Sequence, residues 1–266
     1  MFEKAGPYER IKGRALFRVD PKLAANSIIT DLALAPKNDE GLVEFSADVY
    51  VLKPRDPAKS NGTILFEVSN RGGKGMLTMF NFAPRSLDPQ SEQDLGDSFL
   101  LEQGYTIVWL GWQFDVADQP DLLRLSAPTI PGITGMVRSE FVPTAKTTTM
   151  TLADRNHRPY PVADSSGATL TVRSRHNGPR EPISNAQWKF SAPGEVTMAS
   201  GFEPGRIYEV IYKAQDPAVV GLGPAAIRDL IAYLKYDGGP MLLGDQRRFM
   251  KRAIGFGTSQ SGTGAE

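Results

Sequence analysis

Alternating apolar and polar positions indicate strands in the first part of the chain. From Leu42 to Leu52, every second position between Val43 and Val51 is apolar, which is the period-2 pattern of a strand with one buried face. Short apolar runs bounded by turn residues predict two more strands at Ala15–Val19 and Thr63–Val68. The region therefore reads as strands joined by loops.

An unbroken run of β-branched and aromatic residues, Tyr105–Trp112, predicts a strand that is buried on both faces. Strands of this kind are typical of parallel sheets covered by helices. A helical pattern over Leu95–Gln103 precedes the run, and Gly104 is expected to end that helix. We therefore expect an α/β fold around this strand, with Gln113–Val116 as a loop at its carboxyl end.

The strongest helical pattern covers Pro224–Tyr236, where apolar residues recur at helical spacing and Pro224 suits the first turn. The sequence Gly238-Gly239-Pro240 predicts its end. Arg252–Phe256 then predicts a short strand that leads directly into a stretch rich in Gly and Ser.

The middle of the chain differs in composition from both ends. It is rich in Pro, Gly, Ser and Thr and holds only short β-like pieces, so we interpret it as a β-rich insertion or cap. The predicted segments are then 1–115 with the first strands, 116–206 as the insertion, and 207–266 with a strand at Ile207–Tyr212, the helix and the last strand.

Charge and composition narrow the range of functions. Thirty Lys and Arg balance thirty Asp and Glu, so the chain lacks the basic excess that nucleic-acid binding requires. The chain has no cysteine and only two histidines, His157 and His176, with no second ligand at metal-binding spacing. We expect no metal, no cofactor and no nucleic-acid partner.

The sequence carries no targeting or membrane signal that we recognise. The first residues lack the basic and apolar regions of a secretory signal, and no run approaches the ~20 apolar residues that span a bilayer. We expect no transmembrane segment. The compartment and the oligomeric state stay open, as does export by a signal further upstream.

Gly257-Thr258-Ser259-Gln260-Ser261 approximates the G-x-S-x-G nucleophile elbow, with Ser in place of the last Gly. In an elbow, small residues let the chain turn sharply after a strand, so that the serine Oγ stands exposed. A chance match is expected ~0.3 times in such a chain, and the preceding strand is what strengthens the motif. A flexible Gly/Ser-rich tail is the alternative.

Several blocks together resemble the α/β-hydrolase superfamily, and in particular a bacterial group described only as alpha/beta hydrolase domain proteins. The matching blocks are Ile64–Lys74, Phe99–Gln113, Gly201–Val210 and Ala253–Gly262. The resemblance implies an α/β-hydrolase-like, mostly parallel sheet with a β-rich insertion or cap, incomplete at the carboxyl end. It implies an esterase-like serine enzyme acting on a small-molecule carboxylic ester or related acyl compound.

The resemblance also implies roles for individual residues. Ser259 would be the acyl-accepting nucleophile, and the Gln260 N–H would be one oxyanion donor, with a second from the loop at Arg71 and Gly72. Asn70 and Gly73 of the same loop would line the substrate pocket, although Gly-Gly is also common in plain turns. Trp112 and Asp115, at a strand end, are expected on the active-site face.

The chain departs from the superfamily in one respect. There the acid and the histidine follow the serine, but only Gln260–Glu266 remain here. We therefore expect the acid and the histidine beyond residue 266, and an inactive chain without them. His157 is expected to be a surface residue or to line the pocket from the cap, and His176 a turn residue. The alternative is a non-catalytic protein that binds a ligand or a partner on a similar scaffold.

Overall fold

A computed structural model describes residues 4–154, 157–237, 240–244 and 250–262, with 38% strand and 19% helix. The chain forms two compact units, unit 1 (residues 1–128 and 219–266) and unit 2 (residues 129–218). The strands are β1 (Tyr8–Val19), β2 (Val43–Pro54), β3 (Thr63–Val68), β4 (Thr106–Leu110), β5 (Leu125–Ser126), β6 (Thr134–Phe141), β7 (Thr147–Thr151), β8 (Val162–Arg173), β9 (Glu181–Ile183), β10 (Trp188–Phe190), β11 (Glu195–Phe202), β12 (Ile207–Gln215) and β13 (Arg252–Gly257).

The described helices are few and short. The α-helices are α1 (Met76–Phe80), α2 (Phe99–Glu102), α3 (Leu222–Ala232) and α4 (Pro240–Leu243), and a π-helical turn at Tyr233–Asp237 extends α3. Short 3-10 turns lie at Ala24–Asn26, Leu32–Leu34, Pro57–Lys59, Asn70–Gly72, Gln93–Leu95 and Ser259–Ser261. No helix in the described parts of the chain is both long and apolar enough to cross a bilayer, as the sequence predicted.

The expected mostly parallel, α/β-hydrolase-like fold is wrong. Unit 1 has a mixed sheet in the order β1-β2-β4-β3-β13, in which β1–β2 and β2–β4 pair antiparallel while β4–β3 and β3–β13 pair parallel. In unit 2 each described strand pair is antiparallel. Helices cover too little of these sheets for the expected class.

The physical reason is that burial on both faces does not fix the direction of a strand. Every residue of β4 is buried, as predicted, yet β4 runs parallel to β3 and antiparallel to β2. The last six residues of β2 are also buried on both faces. An apolar run alone therefore could not separate a mixed sheet from a parallel one.

Unit 2 is built from two antiparallel sheets, one in the order β10-β11-β7 and the other in the order β6-β12-β8-β9. Its core is aromatic: the Phe202 ring of β11 lies 5.3 Å from the Phe141 ring and 5.0 Å from the Tyr208 ring, both of the other sheet. The segment predicted as an insertion was 116–206. The predicted strand at Ile207–Tyr212, which was assigned to the next segment, lies in β12, paired on both sides within unit 2.

The core of unit 1 forms where α1 and α2 cover β3 and β4. Trp109 of β4 is fully buried and meets the Tyr50 ring edge to face at 5.7 Å. Met76 of α1 and Leu101 of α2 are fully buried in the same cluster. Because β3 and β4 pack on one side against this cluster, the loops at their carboxyl ends start from well-buried strands.

The predicted helices agree with the structure in part. Pro224–Tyr236 falls within α3 and its π-helical extension, but the helix begins earlier, with Gly221 as its N-cap at φ 98°. Only Phe99–Glu102 of the predicted Leu95–Gln103 helix is α-helical. Gly238 and Gly239, predicted to end α3, and Thr263–Glu266 at the chain's end lie outside the described residues.

Candidate functional site

The candidate site lies where three parallel strands of unit 1 end. The strands β4, β3 and β13 run in one direction, so their carboxyl ends meet at the same edge of the sheet. The segments that follow them are Gln113, the Asn70–Gly73 loop and the Thr258–Gly262 turn. Residues that are 188 positions apart in sequence thereby come into contact.

Ser259 occupies a sharp turn directly after β13. Thr258 is extended, with φ −122°, whereas Ser259 has φ 58°, in the left-handed region that non-glycine residues rarely adopt. Such a conformation costs on the order of 1 kcal/mol and persists only where the surroundings hold it. The Ser259 side chain is exposed at the edge of the sheet.

Small residues make this turn possible. A Cβ at Gly257 would overlap the carbonyl oxygen of Ser261, so a side chain cannot be placed there without moving the turn. The Gly262 N–H donates to the Ser259 carbonyl oxygen at 3.0 Å and closes the turn. Ser261 is fully buried, and its Oγ has no hydrogen-bond partner among the described residues.

Two side-chain amides tie the Asn70–Gly73 loop to the Ser259 turn. Asn70 Nδ2 donates to the Thr258 carbonyl oxygen at 3.3 Å. The buried Gln113 accepts from the Arg71 N–H at 2.9 Å, and its Nε2 donates to Gln260 Oε1 at 3.2 Å. The loop that was predicted to supply oxyanion donors is therefore fixed against the turn that carries the predicted nucleophile.

The predicted loop donors differ in what they already bind. The Arg71 N–H is engaged by Gln113, and the Gly73 N–H donates to the Asn70 carbonyl oxygen at 3.1 Å. Gly72 has φ 78°, and a Cβ there would lie 2.6 Å from the Leu123 carbonyl oxygen, so this position requires glycine. Gln260 is exposed beside Ser259.

Trp112 and Asp115 hold the loop from the β4 side. Trp112 Nε1 donates to the Ser69 carbonyl oxygen at 2.6 Å. The Arg71 guanidinium binds Asp115 in two-pronged fashion, with Nη1–Oδ1 and Nη2–Oδ2 distances of 3.0 Å. Both residues reach the expected edge of the sheet, where their described contacts are to the loop itself.

A cavity of about 440 Å³ opens beside the turn. Two of the four predicted pocket residues, Asn70 and Gly73, line it together with Thr258, the residue before Ser259. Glu67, Lys74 and Arg85 add charged groups to its wall. The volume is within the range of small-molecule sites.

Glu67 is a buried carboxylate that organises one wall of the cavity. Its oxygens accept hydrogen bonds from the Gly75 N–H at 2.9 Å, the Met76 N–H at 2.8 Å and the Trp109 indole N–H. Burial raises the pKa of this carboxyl, and the three donors and the Lys74 charge oppose that rise. The carboxylate therefore holds the start of α1 against β4.

Lys74 is a second charged residue in the wall of the cavity. Its ammonium donates to the carbonyl oxygens of Leu87 and Asp121, the second at 3.0 Å, and lies 4.7 Å from the centre of the Tyr50 ring. Burial lowers the pKa of this amine to about 8. These contacts join the segment before α1 to the loops at Leu87 and Asp121 and to Tyr50 of β2.

Sequence reasoning missed Glu67, Lys74, Arg85 and Gln113. One signal was available for Glu67, because it is the single charge in the apolar run Thr63–Val68, and a charge in a buried strand needs partners. Gln113 follows directly on the β4 run. Nothing in the sequence around Lys74 or Arg85 distinguishes them from surface cations.

The two histidines belong to unit 2, whereas Ser259 belongs to unit 1. His157 is half-buried, and its backbone N–H donates to the Asp154 carbonyl oxygen at 3.0 Å, whereas His176 lies exposed in a turn. Within the described ranges, no group of three His, Cys, Asp or Glu side chains could hold a metal ion.

No protein family matches the chain, and neither the curated proteins nor the solved structures give a significant match. The expected membership of the α/β-hydrolase superfamily is therefore wrong, because the fold is β-rich and no family model matches. The hydrolase and esterase assignments that followed from that membership have no family evidence behind them.

Proposed function

We propose that Ser259 is an acyl-accepting nucleophile, and that the edge of unit 1 acts on a carboxylic ester or related acyl compound. In this step the Ser259 Oγ forms a bond to the acyl carbon, the bond to the leaving group breaks, and the Oγ proton passes to the leaving group.

The observation that carries the proposal is the backbone at Ser259. A serine with φ 58°, exposed at the carboxyl end of a parallel strand, is held in a costly conformation by its neighbours. Strained residues of this kind cluster at functional positions, and they persist only where surrounding contacts hold the backbone in place. A flexible tail would relax to an ordinary conformation.

The surroundings of Ser259 support the same chemistry. The Gln260 N–H follows the nucleophile and is the first oxyanion donor, and the Asn70–Gly73 loop is tied against the turn where a second donor is needed. The 440 Å³ cavity beside Thr258 would receive the acyl group. Because unit 1 contains no histidine, the proposal assigns it the nucleophile and the oxyanion donors and no proton carrier.

Labelling with a fluorophosphonate tests the proposal. We expect slow, time-dependent labelling of the native chain, because the probe reacts with an exposed, positioned serine even without a strong base. Peptide mapping should locate the adduct on Ser259, and Ser259→Ala should remove it. The measurement is the initial labelling rate, compared with that of heat-denatured protein.

Ser261→Ala is the matched control, since this serine belongs to the same turn but is fully buried. It should label at the wild-type rate. Labelling that survives Ser259→Ala, or a native rate no higher than the denatured one, would contradict the proposal.

A second candidate function is ligand binding at the same cavity without chemistry. It is favoured by the loop hydrogen bonds, since the Arg71 and Gly73 N–H groups are already bonded within the protein. Fluorophosphonate labelling separates the two functions, because a cavity that only binds a ligand should leave the native labelling rate no higher than the denatured rate.

A further inference from the structure

The wall of the cavity beside Ser259 carries more positive than negative charge. Its charged side chains are one carboxylate, Glu67, and two cations, Lys74 and Arg85. Both Glu67 oxygens already accept hydrogen bonds from backbone N–H groups at the start of α1. The carboxylate is therefore engaged within the protein, and the wall keeps a net positive charge of one.

The two cations of this wall differ in what they bind. Lys74 is buried, and its ammonium donates to two backbone carbonyl oxygens. Arg85 is exposed, and within the part of the chain that the structure describes no acceptor engages its guanidinium. The nearby carboxylate of Asp88 pairs instead with Arg10 of β1 at 2.7 Å. The five N–H donors of Arg85 are thus available to a ligand.

Arg85 shares the cavity with the turn that carries the proposed nucleophile. Thr258, the residue before Ser259, lines the same space, as do Thr78 and Met79 of α1. The Thr78 hydroxyl has no hydrogen-bond partner among the described residues, and Met79 exposes an apolar side chain. An acyl compound in this cavity therefore meets a cation, a hydroxyl and an apolar surface.

We propose that the acyl compound taken by this cavity carries a second, anionic group, a carboxylate, which Arg85 binds with the Thr78 hydroxyl as a further donor. The inference rests on the function proposed for Ser259 and names its substrate class, the monoesters of dicarboxylic acids. The planar guanidinium fork matches a carboxylate with two parallel N–H bonds. A single net positive charge suits one carboxylate better than a phosphate, which carries nearly two negative charges.

Binding without chemistry is the first test. Monomethyl glutarate and its neutral counterpart, dimethyl glutarate, are titrated against the full chain carrying Ser259→Ala, with ligand-observed NMR as the measurement. We expect the monoester to bind about fivefold more tightly, because only it supplies a carboxylate to the guanidinium. Adding Arg85→Gln should remove that preference.

Arg55→Gln is the matched control, since Arg55 is another exposed arginine of unit 1 and does not line the cavity. The preference for the monoester should survive this substitution, with both variants checked by circular dichroism. Equal binding of the two esters, or a preference that survives Arg85→Gln, would overturn the inference even if Ser259 is labelled by the fluorophosphonate.

Acylation of the native chain is the second test. Mono-p-nitrophenyl glutarate should acylate Ser259 faster than p-nitrophenyl valerate, a neutral ester of equal chain length, with one p-nitrophenol released for each serine acylated. Arg85→Gln should make the two rates equal. A preference for the monoester in binding, with no acylation of Ser259 by either ester, would contradict the proposed function and still support Arg85 as a carboxylate site.

Discussion

The two units bury polar groups in different ways. In unit 1 they bind backbone groups of loops: Glu67 accepts N–H bonds at the start of α1, and Gln113 joins the loop after β3 to the turn after β13. In unit 2 the buried Arg173 and Glu209 pair with other charged side chains across one sheet, Glu209 also binding Arg180 at 2.8 Å. At these positions buried polar groups shape loops in unit 1 and join strands in unit 2, although unit 1 also holds the buried Lys53 in an ion pair across strands, with Glu9.

This difference in how polar groups are buried favours unit 1 as the location of a small-molecule site. A loop held by buried side chains can keep a strained residue such as Ser259 in position, because its alternatives are blocked. An ion-pair network within a sheet fixes the pairing of strands and leaves no strained backbone at its centre. Substitutions that remove one buried polar group from each unit test whether the two units differ in this way.

The largest effect is expected from Glu67→Ala. Removing the carboxylate leaves the Gly75, Met76 and Trp109 N–H groups without their acceptor inside the core. We expect a loss of about 4 kcal/mol in the unfolding free energy, since each buried unsatisfied donor costs about 1 to 3 kcal/mol. Urea denaturation followed by tryptophan fluorescence measures it. Glu67→Gln, which keeps an acceptor oxygen, should lose less, and an equal loss in both would show that the hydrogen bonds are not the cause.

In unit 2, Glu209→Leu should cost about 3 kcal/mol, because Arg173 would remain buried with fewer partners. Adding Arg173→Met should restore much of that loss, since an apolar pair of similar size needs no charge partner. A double-mutant cycle by chemical denaturation gives the coupling. Additive losses would show that the two groups do not form a unit, and the contrast between the units would then fail.

Lys74 gives a pH-dependent test in unit 1. Its pKa in the folded chain is about 8, below the ordinary value of 10.5, so the unfolded chain binds more protons between these two values. The unfolding free energy should therefore rise with pH across that window, by about 1 to 3 kcal/mol relative to Lys74→Met. Denaturation curves at pH 7.5, 9 and 10.5 measure the difference. A flat difference would mean that the buried amine titrates normally.

The smallest effect is expected at Ser259. Ser259→Gly removes the cost of φ 58° and should raise the unfolding free energy by about 0.5 to 1 kcal/mol, while Ser259→Ala should not. Thermal denaturation of the two variants measures it. If Ser259→Gly is no more stable than Ser259→Ala, the backbone at Ser259 is not strained. The proposed difference between the loops of unit 1 and the sheets of unit 2 then has no support.

The local elements could be predicted well, and the architecture could not. The alternation from Val43 to Val51 and the apolar run before Trp112 gave strands that the structure contains as β2 and β4. The same run led to the wrong fold class, because burial on both faces occurs in mixed sheets too. The resemblance to a known superfamily rested on these blocks and on the short elbow motif, which do not determine strand direction.

The candidate site shows the same division. Ser259 could be chosen from sequence because a serine between small residues after a strand forms a local pattern, whereas Gln260, Asn70 and Gly73 were chosen only through the resemblance to the superfamily. Glu67 and Gln113 could not be assigned partners, since those partners lie 8 to 147 positions away. The side chains that hold the site in place contact residues from other strands. The order of those strands in the sheet cannot be inferred from any local sequence pattern.

By itself, the sequence determined the strands, the main helix, the balanced net charge and the serine that follows a glycine-rich strand end, because each depends on neighbouring residues or on composition. The tertiary structure alone decided the mixed pairing of unit 1, the antiparallel sheets of unit 2 and the cavity beside Ser259. Strand direction, burial of Glu67 and Lys74, and the strain at Ser259 all arise from packing between distant segments. Local propensity depends on neighbouring residues and carries no information about contacts between distant segments, so these features could be seen only in the folded chain.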